Sequence, residues 1–241
     1  ICVILDMPLL FPGFEHPLNT NESFEKGLLG ALSRYGVRQW NAENPEMADY
    51  LIKVGKFWRD QTGCDGFRLD TANQHSTAFW KRFADEMRAG APKSDFFLMA
   101  ELAVPPRRIG EFLRETGFDS AYDFSSLIAQ NVFGEGHHVG RIAFVQKEAN
   151  QYYPNPLRMC GEIDNYDMEP FLHRSLEPKA KRMELALAYL LTNNRIPILY
   201  LGDEAALTFN RPGELFDPAR RNESIFTATQ ELIALRRHHP A

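Results

Sequence analysis

Arg68 and Asp70, two residues apart in Gly66-Phe-Arg-Leu-Asp70, are the first residues of this chain that could do chemistry together. In an extended segment alternate side chains share a face, so Arg68 and Asp70 point one way while Phe67 and Leu69 point the other. A guanidinium beside a carboxylate keeps that carboxylate ionised. An ionised aspartate at the C-terminal end of a strand, followed by the polar Thr71, Asn73 and Gln74, is a candidate nucleophile. Two more acids close apolar segments in the same way: Glu101 after 96–100, and Asp167 in Asp164-Asn-Tyr-Asp167 after 157–163. Three carboxylates around one cleft either bind a divalent cation or carry out glycosyl transfer with one acid protonated and another ionised. A metal site would call for histidines near the strand ends, and only His75 stands near one, just beyond Asp70. Glycosyl chemistry is therefore favoured, with Phe67, Tyr122, Phe124 and Tyr166 as faces on which a sugar could stack.

The elements that must position these acids alternate. Apolar runs predict strands over 2–5, 64–69, 96–100, 120–124, 157–163 and 196–201. The run Cys2 to Leu5 is continuous, which predicts a strand buried on both faces of a parallel sheet. Asn44-Pro45-Glu46 is a helix start, with an N-cap, Pro at the first helical position and an acid near the positive end of the dipole. Met47, Leu51, Val54 and Trp58 follow at helical spacing as one buried face, and Gly63 stops the helix. Further helices are expected over 24–35, 76–88, 107–115, 181–192 and 223–237, the last with Ile225, Leu232, Ile233 and Leu235 inward. Strand-helix alternation implies a parallel α/β sheet, doubly wound or closed as a barrel. In a barrel the strand ends would converge on one mouth.

Composition narrows the function. At 44% apolar and 24% charged residues the chain reads as a globular protein, and no run approaches the roughly 20 apolar residues of a spanning helix. A net charge of −5 with scattered basic residues gives no footprint for nucleic acid. The sequence has no GxGxxG after its first strand and no GxxxxGK[ST], so nucleotide binding lacks support. Cys2, Cys64 and Cys160 are too dispersed for a disulfide scaffold or zinc site and are expected to be buried free thiols. The first residues, ICVILD, lack the basic segment and cleavage site of a signal peptide, and the compartment stays open.

Taken in order, these motifs resemble those of the α-amylase family, glycoside hydrolase family 13. GFRLDTANQ at 66–74 is similar to its second conserved region, FFLMAEL at 96–102 to its third and IDNYDMEPFL at 163–172 to its fourth. ILDMP at 4–8 resembles the first region, and IPILYLGDEAAL at 196–207 the eighth barrel strand. The resemblance implies an α/β fold of (β/α)8 TIM-barrel type, truncated so that strands 3 to 8 are present and the first two strand-helix units are missing. On that reading residues 1–241 are a partial catalytic barrel domain, and 7–41 a reduced loop region inserted after the first strand. An unclosed barrel would leave two strand edges, at 2–5 and 196–201.

The resemblance further implies a retaining glycoside hydrolase acting on α-glucans or oligosaccharides. Asp70 would be the nucleophile, Glu101 the general acid/base, and Asp167 the residue that holds substrate hydroxyls. Arg68 would orient and ionise Asp70, Asn165 would assist Asp167, and Asp6, Gln74 and Tyr166 would meet the substrate. Three family histidines are absent: the Asn-His pair expected after Asp6 is Leu10-Phe11, and Gln74 and Tyr166 stand where the other two belong. The family's calcium site draws on the missing Asn, so no metal or cofactor is expected. The alternatives are a transglycosylase of glucanotransferase, trehalose synthase or maltosyltransferase type, a non-catalytic amylase-like carbohydrate-binding or scaffold domain, and a metal-dependent barrel hydrolase. The expected partners are the glucan substrate and the missing N-terminal part of the same protein, with no nucleic acid and no membrane.

Overall fold

The computed structural model describes residues 1–33, 35–91, 95–207 and 217–239. They fall into two units, 1–121 and 122–241. In the first the chain runs β1 (Ile4–Met7), α1 (Asn21–Glu25), β2 (Leu29–Leu32), β3 (Arg38–Trp40), α2 (Pro45–Thr62), β4 (Gly66–Leu69), α3 (Thr77–Ala89), β5 (Phe97–Ala100), α4 (Pro106–Thr116) and β6 (Ser120–Ala121). Strands β1, β4, β5 and β6 pair in parallel in that order. The strand that carries Arg68 thus lies between two neighbours, and both of its faces are buried.

Local chemistry explains these elements. Asn44 caps α2 by accepting the Glu46 N–H, Pro45 occupies its first turn, and Gly63 ends it in the left-handed conformation at φ 62°. Ser76 caps α3 by accepting the Phe79 N–H at 3.2 Å. The inner faces of α3 and the sheet meet in an aromatic cluster, where Phe67 lies 4.9 Å from Phe96 and Trp80 5.8 Å from Phe118 between ring centroids. Gly66 is required by close approach. A Cβ there would stand 2.1 Å from the Phe97 carbonyl oxygen.

Four expectations for this unit are corrected. The first strand is Ile4–Met7 rather than 2–5, and Cys2, Val3 and Ile4 are exposed, because β1 has a neighbour on one side only among the described residues. Its apolar run therefore did not signal two-sided burial, and the Cys2 thiol is exposed while Cys64 and Cys160 are buried. The helix expected over 24–35 stops at Glu25, Gly27 turns the chain at φ 71°, and β2 and β3 form an antiparallel hairpin. On α2 Trp58 is exposed and Val54 half-buried, while the stripe turns to Ile52, Gly55 and Arg59. Arg59 is buried because its guanidinium donates to the Met87 and Glu86 carbonyls.

The second unit contains α5 (Gly140–Asn150), β7 (Cys160–Gly161), α6 (Phe171–Arg174), α7 (Lys179–Thr192), β8 (Ile196–Pro197) and α8 (Glu223–His238). β7 and β8 pair in parallel. The strands expected over 120–124, 157–163 and 196–201 are each reduced to two residues. Pro156 starts a short 3-10 turn in one, and Pro197 removes a ladder donor from another. The core gathers Ile163, Phe171, Met183, Leu187, Leu190 and Ile225. On α8, Ile225 is buried and Leu232 and Ile233 are half-buried, but Leu235 is exposed, since the helix is covered along part of its length only. A buried ion pair holds the strand ends: Arg195 donates to Asp123 at 2.7 Å, and Asp123 also accepts the Tyr153 hydroxyl at 2.7 Å.

Candidate active site

The end of β4 builds the site. Arg68 and Asp70 share a face, as alternation requires, and the Arg68 Nη1 donates to Asp70 Oδ1 at 2.5 Å. The same nitrogen donates to Asp6 Oδ1 at 2.9 Å, and Nη2 lies 2.9 Å from Glu101 Oε2. One guanidinium thus binds the acids at the ends of three adjacent strands, β1, β4 and β5. Parallel register makes this possible, since Asp6 pairs with Arg68 across the ladder and Arg68 with Met99 on the other side. The arginine side chain is only 11% exposed, against 28% for Asp70, 18% for Glu101 and 56% for Asp6.

Asp70 and Glu101 thus sit on one guanidinium, and Thr71 contacts both, near enough for each carboxyl to perturb the other's proton affinity. Their environments push them apart. Burial acts to raise Asp70, but Arg68, Glu101 and Thr71 outweigh it and hold the carboxyl below its usual range. Burial pushes Glu101 up, and the charge of Asp70 adds to it, against the opposing pull of the Thr71 N–H and Arg68. Of the two, Asp70 therefore holds a proton less firmly than Glu101. Two carboxyl groups with opposed proton affinities are the arrangement an acid-and-nucleophile mechanism uses.

Other expected residues are placed differently. Gln74 is exposed at the end of the 3-10 turn Ala72–Gln74. Phe67 is wholly buried in the core and offers no face to a ligand. His75 is drawn inward to the Leu9 carbonyl at 2.9 Å, and burial pushes its imidazole down. A cleft of about 370 Å³ is lined by Asn73, His75, Leu102, Arg108, Glu111 and Phe112. In the second unit Asp167 and Tyr166 are exposed, Asn165 accepts the Asp167 N–H at 2.9 Å, and Asn165 donates to Glu162 at 2.7 Å. Tyr122 and Phe124 stack on each other with centroids 5.7 Å apart. Among the described residues no group of three or more His, Cys, Asp or Glu side chains is disposed to hold a metal ion.

The family model for the α-amylase catalytic domain matches residues 32–214. The chain belongs to the α-amylase family. A maltogenic α-amylase of Bacillus acidopullulyticus is 28% identical over 84% of this chain and 35% of its own length. A cyclomaltodextrinase of a Bacillus species is 27% identical over 83% of this chain and 37% of its own length. Among solved structures, the α-amylase of Geobacillus thermoleovorans, crystallised with acarbose, superposes with a TM-score of 0.87 at 27% identity. It covers 100% of this chain, which in turn covers 58% of it. This α-amylase family chain therefore spans about a third of the length of its curated relatives, and its fold is that of part of a glycoside hydrolase family 13 (β/α)8 barrel.

Thr71 entered the sequence reading only as a polar neighbour of Asp70, and its contacts at this candidate site go beyond that. Thr71 donates its N–H to Glu101 Oε2 and its hydroxyl to Asp70 Oδ2, both at 3.0 Å. It does so from a left-handed backbone at φ 47°, ψ 43°, which its β-branched side chain argues against, so no residue-type signal could have found those contacts.

Proposed function

We propose that this chain is the catalytic part of a retaining α-glucan-active glycoside hydrolase, with Asp70 as nucleophile and Glu101 as general acid/base. The observation that carries the reading is the Asp70–Glu101 pair, held on Arg68 with Asp70 pulled down and Glu101 pushed up. The ionised Asp70 attacks the anomeric carbon and the glycosidic C–O bond breaks. Glu101 gives its proton to the departing oxygen, leaving a glycosyl ester on Asp70. Glu101, now a carboxylate, takes a proton from water as that water attacks the same carbon, and Asp70 is released as a carboxylate. A retaining pair works at roughly 5–5.5 Å and an inverting pair at roughly 6.5–9.5 Å. Asp70 and Glu101 share the Arg68 guanidinium, at 2.5 Å and 2.9 Å, and this closeness supports the shorter, retaining class.

Asp167 is assigned to the substrate hydroxyls and Asn165 to its support, following the motif positions. Asp6 adds negative charge to the Arg68 cluster, and Gln74 and Tyr166 are exposed positions from which substrate could be met. The names maltogenic amylase and cyclomaltodextrinase among the relatives support maltodextrin-type substrates. The chain is assigned barrel strands 3 to 8, with the remaining strands supplied by residues outside it and 7–41 as the segment inserted after the first strand. The displacement itself needs no metal, and a chelator is expected to leave the rate unchanged.

The substituted histidine positions favour one second reading, a carbohydrate-binding scaffold without catalysis. Measuring sugar release from maltodextrin by the full-length enzyme and its Asp70→Asn variant separates the two. The variant is expected to lose at least about 10³-fold in kcat. Equal release by both would end the catalytic assignment.

A further inference from the structure

Thr71 stands out because nothing in its residue type suits its position. A threonine at φ 47° is strained, and such backbone survives only where the surroundings enforce it. Here they do. The Trp80 indole N–H, almost wholly buried, donates to the Ala72 carbonyl at 2.7 Å, and the Gln74 N–H donates to the Thr71 carbonyl at 3.1 Å. The Ala72 N–H donates to the Glu101 carbonyl at 2.9 Å, which ties the turn to the end of β5. The consequence is geometric. The left-handed turn aims the Thr71 N–H at the Glu101 carboxyl and its hydroxyl at the Asp70 carboxyl, so one residue touches both members of the pair.

We propose that Thr71 is a positioning residue, whose hydroxyl orients the Asp70 carboxylate for attack while its strained main chain holds Glu101 against it. The inference rests on the catalytic reading of Asp70 and Glu101. It goes further, since it divides the labour within Thr71. Arg68 holds Asp70 Oδ1, which leaves Oδ2 to be fixed by the Thr71 hydroxyl. The side chain therefore serves the nucleophile and the main chain serves the acid, and substitutions can separate them.

In the full-length enzyme, wild type is compared with Thr71→Val, Thr71→Ser, Thr71→Gly and Asp70→Asn for kcat and KM on maltodextrin across the pH profile. Valine keeps the branched shape and the N–H but loses the hydroxyl. It is expected to lower kcat about 10- to 100-fold, the worth of one hydrogen bond to a charged group, with KM little changed. The acid limb of the profile moves to higher pH, because Asp70 loses a donor that holds its carboxyl down, and the basic limb stays in place. Serine restores both kcat and the acid limb. Glycine removes the backbone strain, melts no lower than wild type and loses kcat as valine does, so it carries the test if the valine variant does not fold. Wild-type kcat and acid limb in the valine or glycine variant, beside an inactive Asp70→Asn, would overturn the role of Thr71 alone. An Asp70→Asn variant as active as wild type would overturn the catalytic reading and this inference with it.

Discussion

Arg68→Met replaces the guanidinium by an apolar chain of similar reach and leaves Asp6, Asp70 and Glu101 facing one another. At an effective dielectric of about 20, a unit charge about 4 Å from a carboxylate contributes about 4 kcal/mol. Asp70 is 28% and Glu101 18% exposed, so water takes part of this, and about 2–4 kcal/mol is a reasonable range for what Arg68 supplies to an ionised, correctly aimed Asp70. At 1.36 kcal/mol per tenfold, the variant should lose roughly 30- to 1,000-fold in kcat/KM. The sign of the pH effect follows from the same contact. With its cationic partner gone, Asp70 binds its proton more readily, so the acid limb of the rate profile moves to higher pH. Arg68→Lys keeps the charge on a single nitrogen, whereas Arg68 uses Nη1 for Asp6 and Asp70 and Nη2 for Glu101. It should recover part of the loss. The assay is initial rates of maltodextrin cleavage by the full-length enzyme across pH, with circular dichroism to verify folding. A folded Arg68→Met variant within threefold of wild type and with an unmoved acid limb would refute the reasoning.

Two other outcomes follow from the same region. Because Glu101 is pushed up in the folded state, the fold favours its protonated form. Its contribution is fully present below the unfolded pKa and is lost as pH rises through the folded value, so Glu101→Gln should melt higher than wild type at neutral pH, with the gain vanishing in acid, while activity is lost. A melting difference independent of pH would contradict the assignment. Gly66→Ala drives a methyl into the Phe97 carbonyl at the β4–β5 contact, and should cost stability at the upper end of roughly 1–3 kcal/mol, read as a lower denaturant midpoint with unchanged slope.

How far the sequence could be read depended on whether a feature was local. Alternation placed Arg68 beside Asp70, and Asn44-Pro45 and Gly63 marked both ends of α2, because each signal is complete within a few residues. The acid at the end of β5 was legible for the same reason, and its meeting with Asp70 follows from strand order. The rest depends on neighbours. Whether the run before Asp6 is buried is decided by how many strands flank it, and whether Trp58 or Arg59 faces inward is decided by the carbonyls at Glu86 and Met87. The β2–β3 hairpin was hidden because Leu29-Gly-Ala-Leu32 fits a helix as well as a strand, and Gly27 settles the matter only once its φ is known. Thr71 is the extreme case, since its conformation contradicts its type.

The position of β1 at the margin of the sheet bears on how the chain behaves when it is made. Val3 is 50% and Ile4 39% exposed, and the strand's single acid, Asp6, is engaged by Arg68. Among the described residues β1 carries no lysine and Pro8 stands only after its last residue, which leaves Ile4–Met7 a template for another extended chain. Handled alone at high concentration, this polypeptide would be lost first through strand-to-strand aggregation of folded copies, while its two hydrophobic cores remained intact. Poor soluble yield would then report on an uncovered edge and would carry no information about the competence of Asp70 and Glu101.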